Sequence, residues 1–292
     1  MKASEPYPAD GAIDVLRDVM LSWTSGIDAV THEVYLGVDF NDVNNADITD
    51  VTGIYRGGQN LGTASYTPVE SPLEWDRTYY WRIDDVNDAD PNSPWKGGVW
   101  SFTTTNYVVV DDFEDYDIGN KEIWWVWKDG LGHAAYDNEP AYPGNGSGSA
   151  VGDENSPSYM EETIVHGGGK SLPFYYGLNN ASDSWATRTF EEARDWTRSG
   201  VKMLVLYFQG VDTNKGGKLY VEINNKRIDY PGDASDLTKM IWTQWTIDPA
   251  SENMNPQSVE TLTIGVEGIS SSGVLYIDDI RLYEEAPAVV TE

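Results

Sequence analysis

Clusters of Gly, Pro, Asn and Asp interrupt this 292-residue chain every 8–12 residues, and that spacing does most to limit what it can fold into. Segments so short suit strands better than the longer helices of a bundle. Between the breaks, residues alternate with period two and are rich in Val, Ile, Thr, Tyr and Trp, as in THEVYLGV, TYYWRIDDV, VWSFTTT, KLYVEINN, TLTIGVEG and GVLYIDDIRLY. Such alternation sends successive side chains to opposite faces of a pleated strand. A helical period is held nowhere for more than about two turns, and the best short helical candidates are residues 4–9 and 190–196. The expected fold is all-β, and the length favours two domains.

Composition removes whole classes of function. With 48 Asp+Glu against 19 Lys+Arg the net charge is −29, and a polyanion repels phosphate backbones and anionic headgroups, so nucleic acid and membrane surfaces are excluded as partners. Both halves share the charge, −11 up to residue 106 and −18 after it. The absence of cysteine removes disulfides, thiolate metal sites and cysteine nucleophiles. His32, His133 and His166 are scattered, which argues against a histidine-rich metal centre. Twelve Trp and 18 Tyr supply ample core material and exclude disorder. No apolar run approaches the ~20 residues of a membrane span. The start, MKASEPYPADGA, does not read as a signal peptide, and the end, EEAPAVVTE, reads as a linker. Either a signal has been removed or the chain is cut from a longer protein, the reading the C-terminal linker favours, and the expected setting is secreted or cell-surface.

A domain boundary is expected near residues 104–107, giving domains 1–106 and 107–292. In the first, Trp23 in MLSWTSG, the pair Leu73 and Tyr79 in LEWDRTYYWRI, and the closing VWSFTT resemble a fibronectin type III module with its tyrosine corner. Alternation there puts Tyr79, Trp81 and Ile83 on one face and Tyr80 and Arg82 on the other. In the second, Phe113-Glu114, the turn and strand start Gly167-Gly168-Gly169-Lys170-Ser171-Leu172, and Tyr276-Ile277-Asp278-Asp279-Ile280 resemble the jelly-roll, galactose-binding-like carbohydrate-binding modules of secreted bacterial proteins. The resemblances imply two tandem β-sandwiches, fibronectin type III-like and then jelly roll.

The second resemblance also implies a structural calcium ion held by Glu114 and Asp278, with the carbonyl of Lys170 as a third ligand and Asp112 and Asp279 nearby. A hard dication takes oxygen ligands of this kind, and like charges on paired strands repel unless a cation lies between them. A second acidic string, DFNDVNNADITD (39–50), lacks the glycine and terminal glutamate of a calcium loop and reads as an Asx-rich loop bonding its own backbone.

Sugar sites stack pyranose rings on Trp and Tyr and hydrogen-bond hydroxyls with Asp, Asn, Gln and Arg. The second domain is dense in both. KEIWWVWKDG packs Trp124, Trp125 and Trp127 into four residues; as in any strand, Trp125 is expected to face away from Trp124, leaving one of that pair exposed or covered by a loop, and Tyr175 and Tyr176, and Trp242 and Trp245, raise the same question. The residues favoured for sugar binding are Trp125, Tyr176 and Trp185, with Asn179, Asn180 and Arg188 as polar partners. The polar stretch 143–158, PGNGSGSAVGDENSPS, is either an exposed connection or the rim of a site.

No nucleophile elbow, metalloprotease helix or phosphate loop is present, and no Ser/His/Asp grouping stands out. The expected function is non-catalytic polysaccharide binding with structural calcium. The alternatives are a structural or adhesive subunit of a surface layer or filament, with EPYPADGA as a donated strand, and a polysaccharide-degrading enzyme using His133 or His166 as base.

Overall fold

A computed structural model describes residues 2–135 and 140–289. The chain divides into two compact units, Met1–Asn106 and Tyr107–Glu292. Both are β-sandwiches, and the fold is all-β.

The first unit contains β1 (Ser4–Tyr7), β2 (Ala12–Val15), β3 (Leu21–Thr24), β4 (Thr31–Gly37), α1 (Phe40–Asn45), β5 (Tyr55–Asn60), β6 (Ser65–Tyr66), β7 (Thr78–Val86) and β8 (Trp100–Thr104). One sheet has the order β1-β3-β6 and the other β2-β8-β7-β4-β5. Leu21 and Trp23 from the first sheet meet Val34, Leu36, Tyr79, Trp81, Ile83 and Phe102 from the second in one core. Tyr79 lies on the core face with Trp81 and Ile83, and its hydroxyl accepts the Glu74 N–H at 3.1 Å, with Leu73 buried beside it. Residues 4–7 are a strand pairing with β3 of the same chain rather than a helix, since a strand there completes the sheet edge. Residues 190–194 likewise belong to a long strand.

The string 39–50 folds locally. Asp39 caps α1 by accepting the N–H groups of Asn41 and Asp42, Asp47 accepts from Thr49, and Asp50 accepts from Thr52, Gly53, Ile54 and Tyr55. Three of its four carboxylates are thus spent on neighbouring N–H and hydroxyl groups. Arg82, on the face of β7 away from the core, is nonetheless buried under α1. Its guanidinium donates to the carbonyls of Asn44 and Ala46, each at 2.8 Å, pairs with Asp84 and stacks on Tyr35 at 4.0 Å.

The second unit contains β9 (Tyr107–Asp111), α2 (Ile123–Val126), β10 (Trp127–Lys128), β11 (Ala150–Val151), β12 (Leu172–Tyr176), β13 (Asp183–Arg194), β14 (Met203–Gln209), β15 (Lys218–Ile223), β16 (Lys226–Asp229), β17 (Thr243–Ile247), β18 (Val259–Glu267) and β19 (Gly273–Tyr283). A six-stranded sheet has the order β11-β12-β19-β14-β17, with β9 also paired to β19, so the first and last strands of the unit lie side by side. The five-stranded sheet has the order β10-β13-β18-β15-β16. The two sheets form a β-jelly roll. Phe174, Tyr176, Leu206, Phe208, Ile277 and Trp245 of one sheet and Trp127, Ala186, Val221, Ile264 and Val266 of the other are buried. Each set recurs at every second position of its strand, which is how alternating sequence becomes a two-layer core.

Candidate glycan-binding face

The residues that alternate with the buried set of the five-stranded sheet form its outer face. Register aligns them in rows across the strands. One row runs Lys128, Thr187, Thr263, Glu222, Arg227; the next runs Trp185, Gly265, Tyr220, Asp229; a third joins Asp183, Glu267 and Lys218. The central row therefore has an indole on one strand, a glycine on the middle strand and a phenol on the third. A Cβ at Gly265 would come within 2.3 Å of the Tyr220 ring, so only glycine lets that ring lie across the middle strand. Tyr220 is fixed there: Arg227 stacks on it at 3.9 Å, and its hydroxyl donates to Asp183 Oδ1 at 2.9 Å. Its own exposure is only 3%, whereas Trp185 is half-buried. The indole is thus the accessible aromatic surface of the row and the phenol its buried floor.

Polar groups flank these rings. The Thr187 and Thr263 hydroxyls share a hydrogen bond of 2.8 Å. Burial pushes the Glu222 carboxyl up, Arg227 pulls it back and Asp183 adds to the rise. Burial and the Asp183 charge push the Tyr220 hydroxyl well above its ordinary value, so it stays a neutral donor. Lys128 donates toward His133 Nε2 at 3.0 Å and lies 5.3 Å from the Tyr142 ring centroid.

The polar stretch 143–158 is in part the rim of this face. The Trp185 carbonyl accepts from Asn145 Nδ2 at 2.7 Å, Ser147 Oγ at 3.1 Å and Ser149 Oγ at 2.6 Å, and the Trp185 N–H donates to Ser147 Oγ at 3.2 Å. β10 spans only two residues, so among the described residues the edge of β13 beyond it has no partner strand, and these short side chains satisfy the exposed backbone. Glycine permits a close approach beside them: a Cβ at Gly130 would meet the Ser147 carbonyl at 2.1 Å, and one at Gly144 the Gly130 carbonyl at 2.2 Å.

The six residues favoured for sugar binding separate in space. Trp185 is on the face just described. Arg188 follows it by three positions and so points to the other side of the strand, where it donates to the Val110 carbonyl at 2.9 Å and pairs with Asp111. Trp125 lines a cleft with Arg188, away from the rows of the face. Asn179 and Asn180 are exposed in a 3₁₀ turn, Leu178–Asn180, both with φ of 56°. Tyr176 is a correction: it is 1% exposed, its ring is in the core and its hydroxyl donates to the Lys215 carbonyl at 3.1 Å, so no sugar can stack on it. Its neighbour Tyr175 is the half-buried member of that pair, and Trp242, not the buried Trp245, is the accessible one of the other. The strand expected around Trp124 and Trp125 is instead the single helical turn α2, so period-two reasoning does not apply and both rings are half-buried.

Tyr220, Gly265, Asp183, Glu222 and Arg227 were not singled out in the sequence. The signal was present as the out-of-phase residues of KLYVEINN, TLTIGVEG and DSWATR, but it becomes a site only once the strand order sets these segments side by side.

Glu114 and Asp278 both close on the glycine turn. Glu114 Oε1 accepts the N–H groups of Gly169 and Lys170, each at 2.9 Å. Asp278 Oδ2 accepts those of His166 at 2.8 Å and Gly167 at 3.2 Å. Lys170 contributes its ammonium, which donates to the carbonyls of Glu114 and Tyr116 at 3.3 and 2.6 Å. Asp278 is wholly buried, and burial together with the Asp279 charge pushes its carboxyl up to about 7. Asp279 is bonded to His166 Nδ1 at 2.6 Å and to Arg281 at 2.5 Å. These are hard oxygen donors of the type calcium takes. Among the described residues, however, no group of three or more His, Cys, Asp or Glu side chains converges for a metal. His166 is stacked on Tyr207 at 3.6 Å.

A Ser/His/Asp chain does form in the first unit. His32 Nδ1 lies 2.6 Å from Asp85 Oδ1, His32 Nε2 is 3.1 Å from Ser25 Oγ, and Asp85 Oδ2 accepts the Gly26 N–H at 2.9 Å. His32 and Asp85 have no solvent exposure. The chain ties the turn after β3 to β4 and β7.

No protein-family model matches the sequence, and no curated protein matches it. Among solved structures the chain is similar to an exo-β-agarase, with 15% identity, 59% of this chain and 25% of that one covered, and a TM-score of 0.35. It is similar to a structure of carbohydrate-binding modules of the β-sandwich superfamily with promiscuous specificity, at 13% identity, 96% of each chain covered and a TM-score of 0.37. A third is the family 11 carbohydrate-binding module of a cellulosomal cellulase of Clostridium thermocellum, at 11% identity, 61% and 94% covered and a TM-score of 0.35. The chain spans about a quarter of the agarase. Likeness this remote leaves function to the geometry of the chain itself.

Proposed function

We propose that the second unit binds a polysaccharide, without catalysis, across the outer face of its five-stranded sheet. The observation that carries this reading is the row Trp185–Gly265–Tyr220, an accessible indole beside a buried phenol, bordered by a row of hydroxyl, carboxylate and guanidinium groups. A pyranose offers an apolar C–H face and a rim of hydroxyls, and this face offers an aromatic plane and a rim of donors and acceptors. The paired, pre-fixed partners of Tyr220 and Trp185 reduce the ordering cost of binding.

The first unit serves as a fibronectin type III-like spacer. Support comes from the Tyr79 hydroxyl bonded to the Glu74 N–H beside buried Leu73, and from the two-sheet order with Trp23 in the core. A secreted or cell-surface setting fits an acidic chain without cysteine. Structural calcium at the glycine turn is part of the proposal, supported by two carboxylates far apart in sequence, Glu114 in the turn after β9 and Asp278 on β19, meeting at that turn.

Calorimetry against a panel of neutral polysaccharides tests the function. Trp185→Ala is expected to weaken retention of the bound glycan at least tenfold, with the melting temperature nearly unchanged. Wild-type protein that binds no glycan in the panel, or a variant that binds as wild type does, contradicts the proposal.

A further inference from the structure

Four carboxylates lie in the rows of the glycan-binding face, and three are committed to partners within the protein. Asp183 accepts the Tyr220 hydroxyl at 2.9 Å. Asp229 pairs with Lys218 at 2.5 Å and with Arg227 at 2.7 Å, and Glu267 takes a second nitrogen of the same guanidinium at 2.7 Å. Glu222 is the fourth. Among the described residues its side chain makes no hydrogen bond and no ion pair, although it is half-buried.

The cause is local. Register sets Glu222 directly opposite Arg227, and opposite charges so placed ordinarily pair across the strands. Arg227 instead lays its guanidinium over the Tyr220 ring, 3.9 Å from the centroid, and reaches Asp229 and Glu267. Glu222 keeps its charge without a contact partner, with Thr263 beside it on the middle strand.

The cations of the rows show the opposite pattern. Lys218 and Arg227 are held in those ion pairs, and Lys128 donates to His133 Nε2 at 3.0 Å. The face therefore has acceptor capacity to spare at Glu222, while each cation already has an acceptor. A glycan hydroxyl finds a carboxylate to donate to. A glycan carboxylate finds its donors engaged and meets a like charge. Trp185 on β13 and Glu222 on β15 are separated by one intervening strand, two strand spacings or ~10 Å, so the sugar at Glu222 is a neighbour of the one on the indole.

We infer that Glu222 determines the specificity of this face: it accepts two adjacent hydroxyls of a sugar next to the one on Trp185, and it turns away glycans that carry a carboxylate there. The inference rests on the glycan-binding role proposed above and names the substrate class as uncharged, with adjacent free hydroxyls. An ionised carboxylate offers two acceptor oxygens and no proton, so a pair of hydroxyls fits it and a uronate does not. Charge-assisted bonds of this kind are stronger than neutral ones, and the selectivity combines an attractive with a repulsive element.

The test is calorimetry of the full chain at pH 7.5 and 150 mM salt with a β-glucan, a mannan and a galactan, each in neutral form and as its C6-oxidised uronate. The salt screens the general repulsion between an acidic protein and a polyanion. Wild-type protein is expected to bind at least one neutral polymer, and its oxidised form at least tenfold more weakly. Glu222→Gln, a change of charge at nearly constant shape, is expected to weaken the neutral polymer at least threefold and to bring the two affinities within threefold of each other. Asp18→Asn removes the same charge at an exposed position in the first unit and is expected to leave both affinities unchanged. The inference alone is overturned if the neutral polymer is bound and lost in Trp185→Ala, yet wild type binds the oxidised form as tightly, Glu222→Gln leaves the ratio unchanged, or Asp18→Asn moves it as far. Wild type that binds none of the three neutral polymers overturns the glycan-binding role and this inference with it.

Discussion

Single carboxylates in this chain are assigned to local tasks with little left over. Asp50 is the clearest case. Its side chain accepts from the Thr52 hydroxyl and from the N–H groups of Tyr55 and Ile54, which holds its pKa down to about 2. An unfolded aspartate titrates near ~3.9. A folded value below the unfolded one means that the stabilisation is fully present above pH ~4 and is lost as pH falls toward 2. Amide exchange at Ile54 and Tyr55 is therefore expected to accelerate across that window more than elsewhere in the first unit, and Asp50→Asn is expected to remove the step. At the same scale, His32 was legible only as a scattered histidine. Its buried bonds to Asp85 and Ser25 join residues up to 53 positions apart, a distance that no local pattern encodes. The choice between Tyr175 and Tyr176 failed for a related reason. Alternation says that one of two neighbours is buried, and only the sheet's second layer says which.

At the scale of elements, the phase of each strand decides what the molecule presents. Gly265 is the point where three strands depend on one missing side chain. A methyl there meets the Tyr220 ring at 2.3 Å, so Gly265→Ala is expected to displace Tyr220 from beneath Arg227. The expected cost is about 1–3 kcal/mol of stability, as for other overpacking changes, read from the urea midpoint, together with weakened glycan binding read by calorimetry. Strand identity was largely legible: the segments LYVEIN, TLTIGVEG and YIDDIRLY are strands because β-branched and aromatic residues alternate through them. Two places departed from the pattern. Residues 123–126, rich enough in Trp to read as a strand, close a helical turn, and residues 40–45 form a capped helix that no hydrophobic period announced. In both, a short-range hydrogen-bond solution prevailed over the weak preference of the side chains. Trp185 was found among the candidate residues because its type suits a sugar; its partners on β15, β16 and β18 became visible only through the strand order.

For the whole molecule, the −29 net charge and the absence of cysteine set the stability problem. Self-repulsion opposes compaction, and no covalent crosslink offsets it. Calcium at the turn formed by Gly167, Gly168 and Gly169 would act where Glu114 and the buried Asp278 approach the same backbone. A ligand that binds only the folded state raises the melting temperature by mass action. Millimolar calcium is expected to raise the melting temperature of the second unit relative to excess chelator, and Asp278→Asn is expected to abolish that difference. Equal melting temperatures for wild type in calcium and in chelator would remove calcium from the account and leave the glycan-binding face untouched.

The most direct test of that face is to map backbone amide shifts while titrating an isotope-labelled chain with whichever neutral oligosaccharide it retains. The account predicts shifts concentrated on Lys128, Asp183, Trp185, Thr187, Glu222, Arg227, Thr263 and Gly265, with the Trp185 indole N–H among the largest. Shifts confined to the six-stranded sheet or to the first unit, with those rows unmoved, would contradict it.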